Sequence, residues 1–232
     1  MIEAMTPARA LAVFAHPDDP EVGCGGTLAR WASLGCEVHL VIANRGEKGS
    51  DDPATDPDEL AGLRAAEVER AAAVLGLADV EHLGYPDGDL ENTADLRAQL
   101  ITTIRRVQPD ALIAPDPTAI FFGDSYVNHR DHRQLGWAVL DSLVPAASPL
   151  YVPQAGPAHQ VATVLLSGTL DANAWIDIEP VLRQKVEAVS CHESRLGDDP
   201  DLIGEIIAAR AAEAGQAGGL AYAEAFRRLS FA

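Results

Sequence analysis

The stretch ALAVFAHPDDPEVGCGGT, residues 10–27, decides the fold. Its first six residues, 10–15, are apolar without interruption, which is typical of a buried strand. His16 and two aspartates follow directly, and after them come a glycine-rich segment and a run of helical spacing from Gly26 to Gly35. A buried strand followed by a helix is the start of a βα unit, so this stretch predicts a parallel sheet.

The rest of the chain repeats this alternation. Further strands are predicted at 37–44, from 80 onward, and at 111–115, 163–168 and 174–178, and further helices at 59–77, 95–109, 179–190 and 200–228. The pattern predicts an α/β fold of three layers, with a Rossmann-like, doubly wound, mostly parallel sheet. Because there is no internal repeat or linker, we expect a single domain over residues 1–232. Residues 144–160 are predicted to be a mobile surface loop.

Composition limits the partners. The chain has 17 Lys and Arg against 35 Asp and Glu, a net charge of −18, which disfavours nucleic acid and anionic membrane surfaces as partners. Three cysteines without framework spacing predict reduced thiols. Residues 1–14 lack the pattern of a secretion signal, so a cytoplasmic location is expected. The sequence leaves open whether copies of the chain form a homo-oligomer.

Metal-binding residue types follow two of the predicted strands. His16 and Asp19 come directly after the first strand, and the segment HRDH at 129–132 comes after the strand at 111–115. Ligands of doubly wound sheets bind beyond the carboxyl ends of the strands, where these segments meet. Imidazole and carboxylate are common zinc ligands, and a hydrolytic zinc site usually has three protein ligands and one open position. Taken together, the residues predict a metal site.

Other interpretations remain open for the individual residues. Asp18 or Asp19 could cap the following helix, and His129 and His132 could lie on a solvated helix. The glycines of 23–27 could also belong to a nucleotide-binding loop, or the chain could be a non-catalytic metal-binding module. A dinucleotide fingerprint would need a further glycine at position 28, which the sequence lacks.

The motifs resemble those of one known family. AHPDD at 15–19, followed by glycines and Thr27, and HRDH at 129–132 resemble the two signature motifs of the zinc-dependent de-N-acetylases typified by PIG-L and LmbE-like proteins. Arg130 stands where proline is common in that family. Weaker matches occur in the same order as in the family, at 44–49, 64–67, 83–88 and 176–194.

The resemblance implies a set of metal ligands and a base. His16, Asp19 and His132 would hold Zn²⁺, although Fe²⁺ or another divalent ion is an alternative. Asp18 would be the general base, because zinc lowers the pKa of a water that it binds to about 7 and a nearby carboxylate can then take the proton. Asp18 could later deliver that proton to the departing amine.

The resemblance also implies roles around the substrate. His129 would stabilise the oxyanion that forms at the amide carbonyl, and Asp131 would orient His129 or keep it cationic. Arg64 would reach the substrate, although it could equally be an exposed arginine paired with Glu67. Asp87 would lie beside a sugar hydroxyl, although PDG is also an ordinary turn sequence.

The function implied is removal of an N-acetyl group from an amino-sugar small molecule such as an N-acetylglucosamine glycoside. The alternative within the same chemistry is an amidase acting on mycothiol conjugates or on another small-molecule amide. The roles of Glu47, Tyr126 and His192 are not assigned, because the family's mobile tyrosine aligns with Val127 rather than with Tyr126.

Overall fold

Seven strands form one sheet in the computed structural model, which describes residues 6–196 and 199–231. In chain order the strands are β1 (Arg9–Phe14), β2 (Glu37–Asn44), β3 (Asp79–Tyr85), β4 (Ala111–Pro115), then a separate hairpin of β5 (Phe121–Phe122) and β6 (Tyr126–Val127), and finally β7 (Thr163–Ser167), β8 (Ala174–Asp177) and β9 (Ala223–Ser230). The order across the sheet is β3-β2-β1-β4-β7-β9-β8. In this sheet order the strands from β3 to β7 are parallel to one another, and β9 is antiparallel to its neighbours β7 and β8.

Helices cover both faces of this sheet. They are α1 (Asp19–Ser33), α2 (Pro57–Leu75), α3 (Ala94–Val107), α4 (Arg130–Ala147), α5 (Leu182–Val189), α6 (Glu193–Leu196) and α7 (Pro200–Gly218). One buried apolar cluster joins the sheet to α1, α2 and α5, and a second joins it to α3 and α4. The three-layer, mostly parallel architecture predicted from the sequence is confirmed. None of the helices within the described ranges is long and apolar enough to cross a membrane. Residues 1–5, part of the stretch on which the expectation about a secretion signal rests, lie outside the described residues.

The register of the parallel strands brings their following loops together. Phe14 at the end of β1 pairs with Ile42 of β2, and Ala12 pairs with Ile113 of β4. Because the three strands run in the same direction, their carboxyl ends lie along one rim of the sheet. The segments that follow β1, β2, β3 and β4 therefore meet at that rim, as predicted.

Helix α1 begins earlier than the sequence suggested. We expected a helix from Gly26, but the helix begins at Asp19 and is kinked at Cys24, whose φ of −152° is not helical. A buried ion pair holds the kink. Glu224 accepts hydrogen bonds from the backbone N–H groups of Gly26 and Thr27, and Lys185 donates to the carbonyl of Val22 and to Glu224. Each half of the helix thus has its free backbone groups satisfied by a charged side chain.

The glycines of α1 allow close packing. A Cβ atom on Gly23 would lie 2.9 Å from Oγ of Ser167, and one on Gly26 would lie 2.8 Å from the side chain of Ile178. Both distances are shorter than carbon atoms tolerate. The glycine-rich segment is therefore required by contact with β7 and with the residue after β8.

The end of the chain differs from the predicted helix at 200–228. Helix α7 ends at Gly218, the next residue Gly219 has a left-handed φ of 73°, and the chain then returns as β9 between β7 and β8. Alanine, glutamate and arginine in β9 are good helix formers, and this local preference concealed the strand.

Residues 144–160 are held more firmly than a mobile loop would be. Arg105 is buried, with 2% exposure, and donates hydrogen bonds to the carbonyls of Ala146, Val152 and Ser148, among others. These bonds satisfy the carbonyls at the end of α4 and connect the following segment to α3.

Candidate metal centre and active site

Three donor atoms converge at the rim of the sheet. Nδ1 of His16 lies 3.2 Å from Oδ2 of Asp19 and 3.2 Å from Nε2 of His132, and the last two atoms are 3.1 Å apart. Two ligands of a tetrahedral site with bonds of about 2.0 Å are about 3.3 Å apart. The triangle therefore fits a small divalent cation bound by two imidazoles and one carboxylate, the three residues predicted as ligands.

Hydrogen bonds to the opposite ring nitrogens orient both imidazoles. Nδ1 of His132 lies 2.9 Å from Oδ1 of Asn128, so its N–H donates a hydrogen bond to that oxygen and the lone pair of Nε2 faces the triangle. Nε2 of His16 lies 3.1 Å from Oδ1 of Asp87 and 3.3 Å from Oδ2 of Asp131, which leaves Nδ1 in the triangle. Outer partners of this kind fix the tautomer of metal-binding histidines.

The charges at the site favour a cation. Burial lowers the pKa of His16, but hydrogen bonds to Asp131, Asp19 and Asp87 outweigh it and raise this pKa to about 12. Burial alone would raise the pKa of Asp19, but His132 and His16 hold it well below its usual range. A site that stabilises positive charge this strongly on its ring nitrogens is suited to a divalent metal ion.

Two other groups of three donors share His16. One combines it with Asp87 and Asp131, and the other with His129 and His132. Oδ2 of Asp131 also accepts hydrogen bonds from the side chain of Asn44 and from the N–H of Gly88 at 2.7 Å, so its lone pairs are already used. Through these contacts Asp131 is a hydrogen-bond partner of His16.

Replacing Asn128 tests the orientation of His132. We expect Asn128→Ala to weaken zinc binding by about 10- to 100-fold, because His132 loses the acceptor that fixes its tautomer. Competition with a chelator of known zinc affinity measures this change. Asn128→Asp keeps the acceptor and should bind within a few-fold of the wild type, whereas equal affinities for the alanine variant and the wild type would contradict the account.

Asp18 has an unusual backbone conformation beside the triangle. Its φ is 87°, in the left-handed region that non-glycine residues rarely adopt, and strained residues of this kind cluster at functional sites. Burial and the neighbouring charge of Asp19 raise the pKa of Asp18 to about 7, with Arg64 and His192 acting in the opposite direction. A carboxyl group with such a pKa can exchange a proton near neutral pH.

His129 and Asp131 stand at the start of α4. Nδ1 of His129 accepts a bond of 3.4 Å from the N–H of Asp131, which leaves Nε2 as the donor nitrogen. The carboxylate of Asp131 is 4.0 Å from His129 and makes its short contacts with His16 instead. The expected cationic state of His129 is not favoured here, because burial and His16 lower its pKa, while Asp131 only partly opposes them.

A polar cavity of about 470 Å³ opens beside the triangle. Its walls include the two residues predicted to contact substrate, Arg64 and Asp87, together with Asp18 and His129. Arg64 is buried rather than exposed, with 3% exposure, and donates to the carbonyl of Gly46. The alternative of an exposed helix arginine is therefore wrong.

Sequence reasoning missed two residues of this cavity, Lys48 and Arg195, and left a third, Tyr126, without a role. Lys48 follows β2, and its position in the polar loop was the available signal, while Tyr126 reaches the cavity from a two-residue strand that no periodicity predicts. Arg195 comes from a distant segment of the chain, and nothing in its local sequence indicated the site.

The unassigned residues Glu47 and His192 have structural partners. Oε1 of Glu47 accepts a hydrogen bond of 3.0 Å from the N–H of Asp87, which positions the turn after β3. Nε2 of His192 lies 3.0 Å from Oε2 of Glu21, and both side chains are almost fully buried. Burial lowers the pKa of His192, but the bond to Glu21 outweighs it and raises this pKa.

The fold and the donor triangle together place the chain among α/β proteins that can hold a divalent metal ion at the rim of a parallel sheet. Within that class, residues 11–143 match the family model described as PIG-L: GlcNAc-PI de-N-acetylase. This match covers more than half of the chain. The chain belongs to the PIG-L family, whose members are metal-dependent N-deacetylases.

Individual relatives have similar descriptions. The diacetylchitobiose deacetylase of Thermococcus kodakarensis is 30% identical over 196 residues, which cover 82% of this chain and 71% of that protein. The 1D-myo-inositol 2-acetamido-2-deoxy-alpha-D-glucopyranoside deacetylase of Geodermatophilus obscurus is 31% identical over 213 residues, covering 80% and 67%. The solved N,N'-diacetylchitobiose deacetylase from Pyrococcus horikoshii, in complex with its inhibitor MPG, superposes with a TM-score of 0.88 at 29% identity, covering 97% of this chain and 84% of that one.

Proposed function

We propose that this chain is a zinc-dependent hydrolase that removes an acyl group, acetyl in the simplest case, from the nitrogen of an amino sugar in a small molecule. The observation that carries the proposal is the triangle of His16, Asp19 and His132 beside a polar cavity that also contains Asp18. Membership of the PIG-L family supports the same reaction.

The triangle would hold the metal. Two imidazole nitrogens and one carboxylate oxygen suit Zn²⁺, and Fe²⁺ could bind to the same donors. When bound, such an ion supplies Lewis-acid chemistry, polarising an amide carbonyl and acidifying water. Asp87 and Asp131 are proposed to position His16, as Asn128 positions His132.

Asp18 is proposed to move the proton. Its carboxylate takes a proton from the attacking water, whose oxygen adds to the acyl carbon. The C–N bond then breaks, Asp18 returns the proton to the nitrogen, and the products are a carboxylic acid and a primary amine, which ionise to carboxylate and ammonium at neutral pH.

His129 is proposed to stabilise the developing oxyanion. Its Nδ1 already accepts from the backbone of Asp131, so Nε2–H is available to donate to the carbonyl oxygen. Asp131 would act on the reaction through His16, which it contacts directly, and through the N-terminal turn of α4. It is therefore a positioning residue in this scheme.

The sugar would occupy the polar cavity. Arg64, Lys48 and Arg195 supply donors and Asp87 an acceptor, which suits hydroxyl groups. The substrates named for the two relatives, diacetylchitobiose and an inositol glycoside, share an N-acetylated glucosamine. We propose that the substrate of this chain likewise contains a glucosamine unit acylated on nitrogen. The absence of nucleic-acid and membrane partners, a cytoplasmic location and any homo-oligomer remain predictions.

An amidase and a nucleotide-binding protein are the two alternatives to the deacetylase. An amidase acting on mycothiol conjugates or another small-molecule amide would use the same residues, and a second, mostly apolar cavity beside the triangle favours acyl groups larger than acetyl. A nucleotide-binding loop at 23–27 is not supported, because the N–H groups of Gly26 and Thr27 are bonded to Glu224.

Primary-amine release from a panel of amides tests the proposal. The panel contains N-acetylglucosamine, its inositol- and malate-linked glycosides, and acylated cysteine conjugates, each assayed with added zinc and again after chelation. We expect release from at least one glycoside that stops on chelation and returns with zinc. Release only from cysteine conjugates would replace the deacetylase by the amidase, and no release from any amide by zinc-loaded protein would contradict both.

A further inference from the structure

A second cavity of about 550 Å³ adjoins the same triangle from another side. Asp19, His132 and Tyr126 line both cavities, so the metal site lies where the two meet. The walls of the second one are formed largely by apolar side chains, namely Phe14, Val22, Pro115 and Phe122. We call it the apolar cavity. Its polar atoms come chiefly from Asn128, Ser125, Ser167 and Arg210.

The positions of Asp18 and His129 determine which cavity receives the amine half of an amide substrate and which receives the acyl half. Asp18 and His129 line the polar cavity and are not among the residues of the apolar one. Because Asp18 must reach the nitrogen that leaves, the amine half belongs in the polar cavity. The substituent of the carbonyl carbon then points toward the apolar cavity.

The size and chemistry of the apolar cavity do not match acetyl. A methyl group would fill a small part of about 550 Å³, and most of the apolar surface that Phe14, Val22 and Phe122 present to this cavity would stay uncovered. We propose that the apolar cavity binds the acyl chain, and that the enzyme hydrolyses N-acyl amino sugars with hydrocarbon chains several carbons long in preference to N-acetyl ones. This inference rests on the proposed function and specifies its substrate class.

Two adjacent phenylalanines provide a matched test. Phe122 of β5 lines the apolar cavity and its ring centroid lies 5.9 Å from that of Tyr126. Its neighbour Phe121 points out of the same hairpin, is 65% exposed and is not part of the cavity wall. Replacing each by alanine removes the same atoms from the same hairpin, but only Phe122→Ala removes them from the proposed acyl site.

The experiment measures kcat/KM for N-acetyl-, N-butanoyl- and N-hexanoylglucosamine by amine release from zinc-loaded protein. Each buried CH₂ group stabilises by about 0.8 kcal/mol, which is about fourfold in kcat/KM. We expect N-hexanoylglucosamine to exceed N-acetylglucosamine by about tenfold or more in the wild type. This ratio should fall at least about fivefold in Phe122→Ala and stay within twofold of the wild type in Phe121→Ala.

The possible failures are distinguishable. Release of acetyl with a hexanoyl-to-acetyl ratio at or below one would overturn the inference and leave the proposed function intact. The inference is also overturned if Phe122→Ala changes only the response to a hexyl glycoside of N-acetylglucosamine, because the apolar cavity then binds the group on the sugar. Absence of release from every N-acylglucosamine tested would overturn the inference, whereas the proposed function is contradicted only if the zinc-loaded protein also fails to hydrolyse the glycosides of the first panel.

Discussion

Replacing Asp18 by asparagine should lower kcat for amine release by about 100- to 10,000-fold, the range typical of a lost general base. The amide of asparagine cannot accept and return the proton. Asparagine tolerates a left-handed backbone better than most residues, so the φ of 87° at this position should be retained. Zinc content should remain at one ion per chain, because the ligands are unchanged.

The free energy of unfolding distinguishes loss of the general base from misfolding of the variant. Burial raises the pKa of Asp18, which means that the ionised carboxylate is destabilised in the folded protein. Asp18→Asn should therefore leave the free energy of unfolding unchanged or increase it. Asp124→Asn is the control, since Asp124 is an exposed carboxylate in the turn of the neighbouring hairpin. It should retain activity within twofold. Activity of Asp18→Asn within tenfold of the wild type would contradict the role of Asp18.

Breaking the buried ion pair of Lys185 and Glu224 should have the largest effect on stability. We expect Lys185→Met to lower the free energy of unfolding by about 3–5 kcal/mol, because it leaves the carboxylate of Glu224 buried without its counter-ion. Both side chains are about 95% buried, at 5% and 4% exposure. Urea denaturation measures the change from the shift in midpoint at constant slope.

Two further variants show whether the effect of Lys185→Met comes from the unpaired charge of Glu224. The double variant Lys185→Met/Glu224→Gln removes both charges and keeps one acceptor oxygen for the N–H of Gly26 or Thr27, so it should be more stable than Lys185→Met alone. Arg106→Met is the control for an exposed ion pair, because Arg106 is a half-exposed partner of Glu81. It should lower the free energy of unfolding by no more than about 1 kcal/mol. A loss below about 1 kcal/mol in Lys185→Met would show that the pair does not hold the kink of α1.

Much of the sheet could be predicted because its central strands are buried on both faces. β1 and β4 are continuous apolar runs bounded by polar residues, and such runs identify parallel strands without further information. The end of the chain could not be predicted in this way. β9 contains helix-forming residues and becomes a strand because β7 and β8 provide hydrogen-bonding partners on both sides, a tertiary effect that local propensity does not contain.

The kink of α1 is a second feature that depends on tertiary contacts and that local sequence could not predict. Gly23 and Gly26 suggest a loop, because glycine weakens a helix by about 1 kcal/mol relative to alanine. Contacts with Ser167 and Ile178, more than a hundred residues away in the chain, explain why glycine is needed inside a helix. The sequence therefore indicated a special backbone here but could not identify its form.

The candidate metal ligands were predictable because they occur in two short motifs after buried strands. The structure brings His16, Asp19 and His132 within 3.2 Å of one another. The partners of the ligands were harder to identify. Asp131 was expected to orient His129, but the N–H of Gly88 and the side chain of Asn44 at the end of β2 hold its carboxylate beside His16 instead. Side-chain partners across separate loops depend on the fold.

Zinc stoichiometry measured together with amine release tests the central claim most directly. Wild type, His132→Ala and His129→Ala are each stripped by chelation, titrated with zinc and assayed. We predict one ion per chain in the wild type and in His129→Ala, and loss of both zinc binding and amine release in His132→Ala. A His132→Ala protein that remains fully active without bound metal would contradict the account.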